Sequence, residues 1–131
     1  MTQTISSFWC SGPFEVAGQL IDKRIRIGGK EAIIEGVQPF KRSENTAPGY
    51  TELLGMLPGQ VFCPWRMAIL FLIATHDEGR PGGCVKIQQV SFGGKTYKGP
   101  KQIALLFDIT KPGVRGTTHW IDESTFEVLW T

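Results

Sequence analysis

Arg24-Ile25-Arg26-Ile27-Gly28-Gly29-Lys30, continuing from Glu31 to Val37, is the stretch from which the fold class is read. Its first four residues alternate strictly, so the isoleucines fall on one face of a strand and the arginines on the other. Gly28-Gly29 supplies the positive-φ positions of a two-residue hairpin, and Lys30 to Val37 is the returning strand. The same grammar recurs at Val90-Ser91-Phe92-Gly93-Gly94-Lys95. Six residues do not define a repeat, so this echo is read as hairpin chemistry and not as a duplicated half-barrel.

Strand signals extend in both directions. Phe14-Glu15-Val16 alternates, and Leu20-Ile21 is apolar. Met67 to Thr75 is the strongest core segment, apolar without a break from Met67 to Ala74. A strand covered on both faces reads this way, a buried helix can show the same run, and Pro64, Gly79 and the β-branched residues favour the strand. His76 to Gly83 is a polar turn. In Val85 to Phe92, Val85 and Ile87 share one phase while Val90 and Phe92 take the other, and a β-bulge near Gln88-Gln89 reconciles them. Thr96 to Lys98 and Ile103 to Thr110 read as strands broken by Gly99-Pro100. Thr117 to Ile121 and Thr125 to Trp130 read as a last hairpin across Asp122-Glu123-Ser124. Between the turn segments Asn45–Gly49 and Pro58-Gly59, one short helix is expected near residues 51–57, with Thr51 as N-cap. With about eight to ten short strands and no alternation with long helices, the fold class is mainly β. An antiparallel β-barrel or roll is expected, with a β-sandwich as the alternative architecture.

The chain has 131 residues, 41% apolar and 20% charged, and is read as a single domain, 1–131. A net charge of +2 gives no electrostatic case for nucleic acid or an anionic membrane surface. Met67 to Ala74 is too short to span a bilayer, which takes about 20 residues. Met1 to Ser7 lacks the regions of a signal peptide. Three cysteines, Cys10, Cys63 and Cys84, form no CxxC pair and no even-numbered disulfide set. These features place the chain in a reducing cytoplasm, with no nucleic acid and no membrane among its expected partners.

Both histidines sit beside acids, in His76-Asp77-Glu78 and in His119-Trp120-Ile121-Asp122-Glu123. If the two strand ends met, His76 and His119 with Asp77 or Asp122 would form a two-His, one-carboxylate centre. Nothing in the spacing fixes those residues together, and solvated turns account for them. Cys63-Pro64-Trp65 and Cys84 have nearby cations but no motif tying them to a histidine, so they are read as small apolar core residues. Gly94-Lys95-Thr96 lacks the leading glycine of a phosphate loop, and no Gly-x-Ser-x-Gly occurs. No cofactor and no metal is expected. The basic stretches Lys23-Arg24-x-Arg26 with Lys30, and Lys95, Lys98 and Lys101 around Tyr97, are read as solvated outer faces.

Four Trp, eight Phe and two Tyr are many for this length. They suit a core, a pocket for an apolar or aromatic ligand, or a subunit interface. The reading is of a non-catalytic protein holding a small apolar or aromatic ligand in a β-barrel, with His76, His119, Trp120, Trp65 and Arg66 as candidate ligand-binding residues. The alternatives are a protein-interaction or self-associating module (an inhibitor or accessory factor, with a homo-oligomer as one form) and a small acid–base or metal-dependent enzyme.

Overall fold

Ile25 and Ile27 are buried while Arg24 faces water and Arg26 is half-buried, as strict alternation requires. In the computed structural model, which describes residues 8–44, 53–65, 70–109, 118–121 and 126–129, they lie on β1 (Arg24–Ile27). β1 pairs antiparallel with β2 (Lys30–Phe40) across the Gly28-Gly29 turn. β3 (Val61–Pro64), β4 (Leu72–Asp77), β5 (Arg80–Phe92), β6 (Lys95–Lys98), β7 (Thr118–Ile121) and β8 (Phe126–Leu129) complete one sheet. Its order is β7-β3-β4-β5-β2-β1-β8, with β6 also paired to β5. The sheet is antiparallel and curled into a half-barrel, with two short helices.

The bulge expected at Gln88-Gln89 is present. Ile34 pairs with Val90, Gly36 with Gln89 and Val37 with Ile87, so Glu35 and Gln88 are each one residue too many. The two bulges compensate, and Val85, Ile87 and Val90 all enter the same core.

Several segments depart from the sequence reading. Phe14 to Leu20 belongs to a helix, α1 (Pro13–Leu20), not a strand. Its buried residues, Pro13, Val16, Ala17 and Leu20, follow the i, i+3, i+4, i+7 spacing of one helix face, and Pro13 sits at the helix start where its missing N–H costs nothing. Ile103 to Leu106 likewise falls in a helix, α2 (Pro100–Leu106). The Ile109 N–H donates to Ala104 O at 2.8 Å and the Asp108 N–H to Leu105 O at 3.2 Å, a Schellman ending with Asp108 at φ 60°. Lys30 Nζ donates to Leu106 O at 2.8 Å, satisfying another terminal carbonyl. In the 51–57 segment, Leu53 is helical and accepts the Met56 N–H at 3.2 Å, while residues 51 and 52 lie outside the described residues. β4 begins at Leu72 and runs on through His76, and Met67 to Ile69 lie outside the described residues. The polar turn after β4 contracts to Glu78-Gly79, because Pro81-Gly82-Gly83 is already strand.

The final hairpin does not form. β7 pairs with β3, and β8 pairs with β1. Every step from β7 across the sheet to β8 is antiparallel, and there are six, so β7 and β8 point the same way and cannot be the two arms of a hairpin.

The concave face of the sheet is covered by α1, α2 and Trp9, and holds the main core: Val16, Leu20, Ile25, Ile34, Phe71, Ile73, Val85, Ile87 and Ile103 are all fully buried. The other face carries a smaller cluster of Phe62, Leu72, Ala74 and Cys84 beneath Leu53 and Met56. β4 thus feeds both cores, which is why its sequence does not alternate.

The segment that covers the second face is joined to the sheet by a turn and a bulge. The Gln60 N–H donates to Leu57 O at 3.2 Å across Pro58-Gly59, and Ala74 pairs with both Gly59 and Gln60 through two 2.8 Å hydrogen bonds. Gly59 has φ 92°, and a Cβ there would lie 2.7 Å from Trp9 Cδ1. Gly59→Ala is therefore expected to destabilise the fold by about 2 kcal/mol or more, through left-handed strain and displacement of the indole. Urea unfolding followed by tryptophan fluorescence measures this. An unchanged midpoint would contradict the packing of Trp9 on Gly59.

Candidate functional site

The β4–β5 hairpin end has the densest set of local exceptions. Asp77 pairs with Arg80 across Glu78 (φ 55°) and Gly79 (φ 76°). Thr75 pairs with Gly83 but His76 with Pro81, so Gly82 is an extra residue in β5. Gly82 is buried with φ 120°. A Cβ on it would meet Arg42 Cγ at 2.6 Å, Arg42 Cδ at 3.3 Å and Leu54 Cδ2 at 3.5 Å, so the arginine stem lies on bare backbone. Asp77 Oδ2 accepts the Arg42 N–H at 2.8 Å, which fixes the residue's main chain as well. Beside it, a Cβ on Gly83 would stand 2.7 Å from Thr75 Oγ1. Thr75 is buried, and its hydroxyl has no hydrogen-bond partner among the described residues.

His76 is half-buried at this end, on β4. Trp65 follows β3 and is half-buried. His119 and Trp120 occupy β7 positions opposite Cys63 and Phe62. Their side chains, and Arg66 altogether, lie outside the described residues. Val61 pairs with both Ile73 and Ile121, so His119 is level with Phe71 of the β4 line. His76 is five residues further along and two strands away. At about 3.3 Å per residue and about 4.8 Å per strand, the two positions are separated by roughly 15–20 Å. The register therefore places His119 two residues from the position of Trp65 on the neighbouring strand, sets Trp120 at the adjacent position, which belongs to the opposite face of the sheet, and leaves His76 far from all three. Among the described residues, no three of His, Cys, Asp and Glu gather at metal-binding distance.

The basic stretches divide into engaged and open cations. Arg24 pairs with Glu31 at 3.1 Å, and Arg26 with Glu31 at 3.6 Å and with Glu127. The hydrogen bond and charge of Glu127 hold the Arg26 guanidinium above its ordinary range. Lys30 pairs with Asp108 at 3.2 Å, and Lys95 stands 5.4 Å from the Tyr97 ring. Exposed pairs of this kind add little stability, but they neutralise the arginine face that the alternation of β1 produces.

Cys63 and Cys84 are buried and Cys10 is exposed. Burial pushes the Cys63 thiol up to about 12, so it is protonated and unreactive near neutral pH. Arg42, Gly82 and Leu54 were not singled out by sequence reasoning. The only signal was Pro81-Gly82-Gly83, a tripeptide that reads as a turn until β5 is seen to run through it. The chain matches no known protein family, and comparison with curated proteins finds no significant match.

A thiol raised in the fold is stabilising below its unfolded pKa and loses that contribution as pH rises through the window from about 9 to about 12. Stability is expected to fall across that window by up to about 1.4 kcal/mol per pH unit from this group, and less steeply in Cys63→Ala. Urea titrations of both proteins between those limits measure the difference. Parallel curves would place Cys63 in a more polar setting than this one.

Proposed function

We propose that this chain is a non-catalytic interaction protein that acts through an exposed apolar surface. The observation that carries the reading is the segment Leu53 to Leu57. Leu53 and Met56 point inward, at 1% and 5% exposure, while Leu54 and Leu57 are 47% and 65% exposed. A segment that only roofed a small core would carry polar residues on its outer side. Phe14, 54% exposed on α1, adds an aromatic ring to the same class of surface residue.

The reading as a barrel for a small apolar or aromatic ligand has less support from the packing. Such a ligand would share the concave face with Trp9, Val16, Leu20 and Ile103, which cover the strands there. A catalytic reading has no supporting cluster among the described residues.

Two measurements test the proposal. Leu54→Ser with Leu57→Ser is expected to change stability by no more than about 1 kcal/mol, because exposed side chains contribute little. A photo-crosslinker at Leu57 is expected to capture a protein, either a second copy or a partner, in the expressing cell. The same crosslinker at Arg24, on the ion-paired face, is the control. Native mass spectrometry showing a small molecule retained by the bare chain, or equal crosslinking from both positions, would overturn the reading.

A further inference from the structure

Building on that reading, we propose that Arg42 anchors a docking surface for a partner-protein segment that presents a carboxylate flanked by apolar side chains. The geometry is that of a prepared cation. The Arg42 main chain is held by Asp77, and its stem is held on Gly82. That seat lies where β5 is bulged and Gly82 takes a positive φ. A side chain at Gly82 would displace the stem.

The guanidinium so positioned is half-buried, and no carboxylate among the described residues lies within ion-pair distance of it. A fixed arginine stem that meets no carboxylate among the described residues is suited to bidentate capture of one by its planar fork, with less entropy lost than by a free side chain. The flanks are apolar. Leu54 reaches the same point over Gly82 that the Arg42 stem reaches. On the other side, Lys41 stands 5.5 Å from the ring of Phe14. Arg42 and Lys41 thus sit between two large exposed apolar side chains, Leu54 and Phe14. Of the charges at the adjoining hairpin, Arg80 adds a cation, Glu78 is an exposed acid, and Asp77 has one oxygen committed to Arg42. Together with Lys41 and Arg42, the described charges there are three cations and two carboxylates. The contrast with Arg24, Arg26 and Lys30, each matched by a carboxylate of its own chain, gives the rim its complementarity to an acidic partner. Apolar flanks favour a protein segment over a polyphosphate or nucleic-acid backbone, which offers charge without aliphatic side chains.

The test uses three labelled probes on the full chain: a peptide of about twelve residues alternating Glu with Leu and Phe, its Lys-for-Glu counterpart, and an oligothymidylate of similar length. Amide NMR shifts are expected from the Glu peptide alone, at Phe14, Lys41, Arg42, Leu54 and Gly82. Arg42→Glu is expected to weaken that binding at least tenfold. Arg42→Gln, which keeps most of the stem on Gly82, is expected to weaken it severalfold with the unfolding midpoint preserved. Raising salt from roughly 50 to 300 mM weakens the binding in the same direction. No shifts, shifts elsewhere, equal binding of the Lys peptide, or oligothymidylate binding at the same residues would each overturn the proposal. If Arg42→Glu leaves peptide affinity unchanged while crosslinking from Leu57 persists, this inference falls and the broader reading stands. If both fail, both are wrong.

Discussion

Ile121 and Phe126 belong to strands on opposite edges of the sheet, yet only four residues separate them in the chain. Fully extended, that connection spans about 17 Å. A flat sheet with five strands between β7 and β8 would hold those edges roughly 29 Å apart at about 4.8 Å per spacing. The sheet must therefore curl, and a curled sheet has two unlike faces. The concave one needs filling from within, and Trp9, α1 and α2 fill it. The short helices follow from this demand. At eight and seven residues they have little stability of their own, and the apolar faces they bury hold them in helical form.

The convex face divides by what covers it. Around β8, β1, β2 and the later half of β5 it meets water, and its side chains pair with one another: Arg26 with Glu127, Gln88 with Gln38 at 2.6 Å, Gln89 with Glu35 at 3.0 Å. Around β3, β4 and the start of β5 it is apolar and must be roofed. Leu53 and Met56 roof it, secured by the Pro58-Gly59 turn and the contact of Gly59 with Trp9. Trp9 itself belongs to the main core, so the two cores meet at that glycine.

How much of this could be read in advance follows from the range of each signal. The β1–β2 hairpin and the bulge at Gln88 are local patterns of two-residue periodicity, the double burial of β4 is a local run of apolar residues without alternation, and each was legible. The helices were not. Phe14-Glu15-Val16 alternates within three residues, and only the longer spacing Pro13, Val16, Ala17, Leu20 reveals a helix face. Gly99-Pro100, read as a break between strands, is instead a helix start. The pairing of β7 and β8 was invisible for another reason. Adjacent strands usually pair with each other, and what overrides that habit here is the parity of pairings over the whole sheet, a property no window of sequence contains. The candidate site divides in the same way. The register separates His76 from His119, while Arg42 had no distinguishing neighbour in sequence, since its seat is made by Gly82 forty residues later.

Places where a chain breaks its own local rules without gaining stability are informative. Pro81-Gly82-Gly83 sits inside a strand, where proline removes a donor and glycine removes side-chain packing. Thr75 buries a hydroxyl with no partner among the described residues, and an unpaired buried hydroxyl costs about 1–3 kcal/mol. A simple β-hairpin needs none of these features, and the Gly28-Gly29 and Gly93-Gly94 hairpins of the same chain do without them. The bulge moves β5 out of register with β4 at the point where Arg42 crosses it, and the missing side chain at Gly82 lets the arginine lie flat. Stability alone would favour an ordinary hairpin there. The strained one is explained if the position of the Arg42 guanidinium is what the exceptions at this end of the sheet secure.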